Sequence, residues 1–272
     1  MTTKNDKSTG IFPALLKYWR NSKGLSQLDL GLAADVSARH ISFLETGRAK
    51  PSRDMVLTLA ATLEVPMREQ NTMLSAAGFP PAFEESPLGT GEGSPIDRVI
   101  NRMLAKHEPY PMVVMDSGYD LINSNQSAQR IIQRFIANPA AITQPLNLYE
   151  MLFHPDLARP YVKDWESLGR QLLSRINRES ILRPYNNRLS LLLDKLLSFE
   201  GVPTEWRVPD FTESSQPFLT LKLQNDDFEL NFLTIITTFS APQNITAEEV
   251  LIETLFPVDD ATELACQTIS EL

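Results

Sequence analysis

Residues 26–52, SQLDLGLAADVSARHISFLETGRAKPS, decide how the N-terminal part of this 272-residue chain folds. The stretch spells a helix, a tight turn, a second helix and a basic exit loop, which is the layout of a helix-turn-helix. Ser26 is an N-cap that follows the break Gly24-Leu25, and Asp29 brings negative charge to the first turn, where the helix dipole favours it. Leu30 and Ala33 fall on one face, and Gly31 lets another helix cross closely. Asp35 stands at the turn, where a positive φ is usual, and Ser37 caps the second helix. Gly47 ends that helix as the residue after its C-cap.

Val36, Ile41 and Leu44 are spaced to face inward, which leaves Ala38, Arg39, Ser42 and Phe43 outward, with His40 at the edge. A major groove admits one such helix, and short or polar side chains let its backbone approach the bases. Arg39 can reach a guanine edge with two hydrogen bonds. Gln27 can bind a phosphate and set the docking angle, while Arg48 and Lys50 can neutralise phosphates beside the groove. The expected DNA-contacting set is therefore Gln27, Ser37, Ala38, Arg39, His40, Ser42, Phe43, Arg48 and Lys50. Glu45 opposes phosphate and is read as structural. The competing reading, a small helical bundle with a solvated charged face, does not account for so long a pattern.

That pattern, S-Q-x-x-L…V-S…I-S-x-x-E-x-G-R-x-x-P-S, resembles the lambda-repressor/Cro-like (Xre) family. The resemblance implies an all-α domain of five helices over residues 11–79. Residues 13–23, with Leu15, Leu16 and Trp19 inward, would give the first helix. Residues 53–63 and 66–77 would give the last two, with Pro66 in a first turn. Gly31 and Asp35 replace the family's usual Ala and Gly, two exchanges expected to weaken local stability slightly.

Length alone suggests two domains. No apolar run approaches the ~20 residues that span a bilayer. MTTKNDKSTG has no apolar signal core, so the expected location is cytoplasmic, with no membrane partner. The single cysteine, Cys266, forbids an internal disulfide; it is either a redox sensor or incidental. The net charge of −9 is unevenly spread: residues 1–83 carry 10 basic and 7 acidic residues, net +3, and residues 84–272 carry 15 and 27, net −12. Basic charge thus gathers with the helix-turn-helix, and the acidic remainder would repel phosphate.

GFPPAFEESPLGTGEGSP, residues 78–95, reads as a linker, taken as 80–94. Its alternating Gly89, Gly91 and Gly93 are not a phosphate loop, because no strand precedes them and no Lys-Ser/Thr pair follows. Residues 95–272 form the second domain. A helix at 96–106 precedes a strand at 112–116, a two-residue turn at Ser117-Gly118, and a strand at 119–125; residues from Gln126 turn helical. This is how PAS domains begin, and there the counterpart of Asn125 ties the second strand to the next helix. Residues 147–200 read as helical, with Trp165, Leu168, Leu172 and Ile176 at helical spacing: core by preference, ligand contact as the rival. Residues 218–224 and 228–239 read as strands, and 250–256 as a fifth strand with helix as the rival. The expected class is α+β: a PAS-like five-stranded antiparallel sheet with extra helices.

HEPYPMVVMD (107–116), LFHPDLARPYVKDW (152–165), TTFSAP (237–242) and IETLFPVDDAT (252–262) resemble the MmyB-like ligand-binding domain, with Ser240 in place of a usual Gly. The resemblance implies a bacterial transcriptional regulator with a PAS-like pocket for a small apolar, lipid-like or fatty-acid-like molecule, dimerising on an inverted-repeat operator in double-stranded DNA. His154 and Arg159 could hold a ligand carboxylate, or else cap and pair locally; Trp165 and Phe232 complete the ligand candidates. Asp259 and Asp260 are expected to cap or solvate the C-terminal segment. No cofactor, metal or catalytic site is expected, since the three histidines are far apart and no nucleophile motif occurs. The rival function is a constitutive regulator whose second domain only dimerises or meets another protein.

Overall fold

The computed structural model describes residues 10–85, 88, 94–182, 187–208, 219–240, 242 and 244–271. The glycines at 89, 91 and 93 lie outside these residues. The described residues form two compact units, one drawn from Met1–Ser86 and Ala241–Glu248, the other from Pro87–Ser240 and Glu249–Leu272.

Five helices make the first unit: α1 (Ile11–Ser22), α2 (Gln27–Ala33), α3 (Ala38–Glu45), α4 (Arg53–Thr62) and α5 (Met67–Ala76). Ser26 Oγ accepts the Asp29 N–H at 3.1 Å, and the Asp29 carboxylate accepts the Ser26 N–H at 2.9 Å. This reciprocal capping box gives Asp29 a definite bond as well as a favourable dipole. Ser37 and Ser52 cap α3 and α4 by accepting from His40 and Met55, each at 3.2 Å. Such caps are worth about 1 kcal/mol each. Pro66 sits at the capping position of α5, one place before the first turn expected for it. It has no acceptor side chain, and the Glu248 carboxylate takes the Met67 N–H at 2.8 Å instead.

Leu16, Trp19, Leu30, Ile41, Leu44, Leu59 and Leu74 close this unit's core. Three inward assignments differ from expectation, Val36 among them, since it is only half-buried. Leu15 is only half-buried; Phe12, Leu16 and Trp19, at four- and three-residue steps, line the inward stripe of α1. Ala33 is exposed while Ala34, one turn from Leu30, is buried. The turn between α2 and α3 matches its sequence closely. Asp35 has φ +55°, and Val36 donates its N–H to the Gly31 carbonyl at 2.8 Å. A Cβ on Gly31 would lie 2.5 Å from the Val36 carbonyl oxygen. Glycine is therefore required by the close passage of the chain, which overturns the expectation that it costs local stability.

The second unit contains α6 (Pro95–His107), β1 (Met112–Met115), β2 (Leu121–Ser124), α7 (Gln126–Arg134), α8 (Leu148–Phe153), α9 (Trp165–Leu182), α10 (Asn187–Ser198), β3 (Leu219–Gln224) and β4 (Glu229–Thr237). A short helix, α11 (Ile245–Glu249), precedes β5 (Leu251–Pro257), and α12 (Asp260–Glu271) ends the described chain. Residues 250–256 are thus strand, not helix. α12 is capped by Asp259, whose carboxylate accepts the Thr262 N–H at 2.7 Å.

The strands form one antiparallel sheet, ordered β2-β1-β5-β4-β3, with α7 to α10 between β2 and β3. Strand alternation gives it two apolar faces. Met112, Val114, Val250 and Ile252 pack with Ile100 and Leu104 of α6. Val113, Met115, Leu230, Phe232 and Leu255 pack with α7 to α10 in the larger core. The β1–β2 connection is not the two-residue turn expected. Tyr119 donates its N–H to the Asp116 carbonyl at 3.0 Å and adopts φ +68°, a turn followed by a left-handed residue. Arg188 of α10 clamps this loop through Asp116 at 2.9 Å and Asp120 at 2.7 Å. Asn125 caps α7 through the Ala128 N–H at 3.0 Å, holds the Met112 N–H at 3.0 Å and donates to the Tyr110 carbonyl at 2.7 Å. It therefore ties the start of β1 to the helix after β2. No helix among the described residues is long and apolar enough to cross a membrane.

Candidate DNA-reading face and ligand cavity

In α3 the apolar pair Ile41 and Leu44 is fully buried, which fixes the helix's rotation. Arg39 is exposed on the opposite side; Ala38, His40, Ser42 and Phe43 are partly exposed around it. The Arg39 guanidinium stands 5.3 Å from the centre of the Phe43 ring. Arg48 approaches the same ring at 6.0 Å. Its backbone is set by the helix end: Gly47, at φ +70°, donates to Leu44 at 3.2 Å, and Arg48 donates to Phe43 at 2.8 Å. Lys50 and Arg53 follow, both exposed.

Two of the expected DNA contacts have structural duties as well. Ser37 Oγ already accepts the His40 N–H. Gln27 Nε2 donates to Glu45 at 2.8 Å, so the amide is held by the protein rather than free. Glu45 is 4% exposed and receives Arg20 in a two-pronged pair, at 2.6 and 3.1 Å. Arg20 also donates to the Leu25 carbonyl at 2.6 Å. The Arg20–Glu45–Gln27 set thus joins α1, α3 and α2. Glu45 is structural as expected; Arg20, on an apolar helix face, gave no separate signal in the sequence.

In the second unit, a cavity of about 80 Å³ lies between the sheet and helices α7, α8 and α9. Val113, Ile131, Phe135, Leu168, Leu172, Leu221 and Leu255 give it an apolar wall. Its lining side chains that bear polar atoms are Tyr149, Thr234 and Glu253. Burial raises the Tyr149 hydroxyl pKa well above the ordinary phenol range, helped by the nearby Tyr119. Burial likewise raises the Glu253 carboxyl pKa, against the charge of Arg175 and a hydrogen bond from Thr234, which lower it.

A helix-turn-helix family model matches residues 16–70. A second model, described as the MmyB-like transcription regulator ligand binding domain, matches residues 96–268. The chain belongs to the MmyB-like transcription regulators. No curated protein matches it. Among solved structures, an RNA-binding Light-Oxygen-Voltage receptor aligns at 14% identity over 94% of this chain and 63% of that chain, with a TM-score of 0.26. This chain therefore spans less than two thirds of that receptor's length, and the likeness carries no argument.

Within the MmyB-like domain none of the four expected ligand residues lines the cavity. His154 Nδ1 accepts the Asp156 N–H at 3.1 Å, closing a turn. Arg159 lies 3.8 Å from the centre of the Trp165 ring and donates to the carbonyls of Phe153, Glu200 and Gly201. Trp165 stands behind the wall, its indole N–H donating to the carbonyl of the lining Leu152 at 2.8 Å. Phe232 is fully buried and pairs across the sheet with the lining Leu221. Of the rest of the Trp–Leu stripe, Leu168, Leu172 and Ile176 are all core, and Leu168 and Leu172 also line the cavity. Sequence reasoning missed Tyr149 and Glu253. Both sit in ordinary apolar-alternating stretches, and only the register of β5 turns Glu253 to the cavity face. Cys266 is buried, with its thiol pushed up to about 12 by burial and by Glu263, which disfavours the reactive thiolate.

Proposed function

We propose that this transcription regulator reads double-stranded operator DNA as a homodimer on an inverted repeat, and that its PAS-like domain senses a small apolar molecule. Arg39, Ser42 and Phe43 would meet base edges, with Ala38 allowing close approach. Gln27, Ser37, His40, Arg48 and Lys50 would position the phosphates. The observation that carries the sensing reading is the near-wholly apolar cavity with its few polar groups, the usual composition of a ligand site. Its ligand would be lipid-like in its tail, and no cofactor is called for. Half-sites on DNA lie about 34 Å apart, so a ligand that shifts the spacing of two protomers by a few Å changes affinity.

One observation favours the rival reading of a constitutive regulator. The cavity, at about 80 Å³, is small beside the ~300–1,000 Å³ of ordinary ligand sites. Native mass spectrometry of protein purified from several hosts separates the two readings. A recurrent non-covalent small-molecule adduct supports the sensor. Its absence from every preparation supports a second domain that only assembles. Cytoplasmic location follows from the proposed target, chromosomal DNA.

A further inference from the structure

Phe43 is partly exposed on the side of α3 that carries Arg39, away from the buried Ile41 and Leu44. A phenyl ring left in water is stabilised by any apolar group that covers it. The Arg39 guanidinium lies 5.3 Å from the ring centre and the Arg48 guanidinium 6.0 Å. The helix end leads Arg48 back to this ring: its N–H and that of Ala49 both donate to the Phe43 carbonyl, at 2.8 and 3.2 Å. Among the described residues neither arginine makes an ion pair, and Glu45, beside them in sequence, is taken by Arg20 and Gln27. Two like charges therefore meet at one ring, an arrangement that nearby acceptors or an anion would stabilise.

DNA offers groups that fit each part of this cluster. On the major-groove edge, guanine presents two acceptors, O6 and N7, which match the fork of a guanidinium. A phenyl ring has no donor and no acceptor, and the apolar group on that edge is the C5-methyl of thymine. Side chains one helical turn apart stand about 5–6 Å apart at Cβ, and successive bases about 3.4 Å apart. Arg39 and Phe43 are thus spaced to meet neighbouring base pairs, while Arg48, in the exit loop, is left for the flanking phosphate.

We propose that Phe43 determines specificity by packing on the C5-methyl of a thymine in the base pair next to the guanine that Arg39 reads. The proposal rests on α3 entering the major groove by this side, and it narrows that reading from a single base to a two-base step.

The test uses the full chain and a duplex enriched from a random pool by the wild-type protein. The enriched half-site should carry a thymine beside a guanine. Replacing that thymine with deoxyuridine removes one methyl group and keeps every hydrogen-bonding group. Affinity measured by fluorescence anisotropy should then fall about fourfold, the worth of one methyl group returned to water. This arm needs no protein variant, so it reads the contact whatever a substitution does to folding. Phe43→Ala should bind the thymine and deoxyuridine duplexes alike, and Arg39→Ala should lose the preference for guanine. Equal wild-type affinity for the two duplexes overturns the methyl contact while leaving the reading face in place. A deoxyuridine penalty undiminished in Phe43→Ala does the same, since another side chain then meets the methyl. A guanine preference unchanged in Arg39→Ala overturns the reading face and the proposal with it.

Discussion

The Arg39 guanidinium lies 5.3 Å from the Phe43 ring centre, one helical turn away on the exposed side of α3. An arginine held over an aromatic face loses less freedom when it engages a base, because its reach is already directed. Arg39→Ala should therefore cost about 1–3 kcal/mol of specific binding and relax the preferred sequence at one position. Phe43→Leu should weaken specific binding by a smaller factor, through the loss of that direction. Fluorescence anisotropy on a selected operator and on a scrambled duplex measures both. Equal affinity of Arg39→Ala and wild type for the operator would show that the reading face lies elsewhere.

Lys50 is exposed beyond the end of α3, where it can meet phosphate only through charge. Lys50→Ala should weaken every duplex alike and lower the salt-dependence slope by about one. A loss confined to one sequence would make it a base reader instead.

The pair between Arg20 and Glu45 is nearly dry, with side chains 10% and 2% exposed. Glu45→Ala strands the Arg20 charge inside the unit and also frees Gln27. Denaturant unfolding should show a loss of roughly 3–5 kcal/mol. DNA binding should fall with the folded fraction, and further to the extent that Gln27, no longer held by Glu45, loses its position for a phosphate.

The turn between α2 and α3 makes two opposite predictions. Gly31→Ala should destabilise by about 1–3 kcal/mol, because the new methyl carbon meets the Val36 carbonyl 2.5 Å away. Helix propensity alone would give the reverse sign, a gain of about 1 kcal/mol. Asp35→Gly should stabilise slightly, since Asp35 holds φ +55°, which glycine adopts freely. Thermal melting decides the signs of both.

Much of this was legible in the sequence, for reasons that differ by region. Helix caps, the turn at Asp35 and the Gly47 terminus depend on one or two adjacent residues, so Ser26, Ser37 and Ser52 could be read directly. Strands β1 to β5 follow from alternation and apolar runs. The cavity is another matter: it depends on which residues of β3, β4 and β5 come into register over α7 to α9, and register is not written in any short stretch. His154 and Arg159 looked functional because they are polar near a turn, and the structure gives them turn-closing and carbonyl-holding bonds instead. α12, from Asp260 to Glu271, is not placed by the sequence; its inward positions Thr262, Cys266 and Ile269 include a threonine and a cysteine rather than large aliphatic residues, and Cys266 and Ile269 pack into the larger core.

Glu253 gives the fold a pH dependence of known sign. Its carboxyl pKa is raised in the folded state, so the proton it holds there is released on unfolding. The stability it contributes is complete below the ordinary carboxylate range and is lost as pH rises through the raised folded value. Wild type should therefore lose stability relative to Glu253→Gln as pH climbs from about 5, by at most about 1.4 kcal/mol per pH unit. Parallel melting curves for the two proteins at all pH values would place an ionised Glu253 in the cavity.

On the proposed function, occupancy of the cavity in the second domain changes how the first domain binds DNA. The most direct measurement is the affinity of the whole chain for its own upstream DNA, at two salt concentrations, before and after organic extraction of bound apolar molecules. The expected result is a sequence-specific affinity that changes on extraction, while the salt slope, set by phosphate contacts, stays the same. An affinity unaltered by extraction, and unaltered again when the extract is returned, would contradict it.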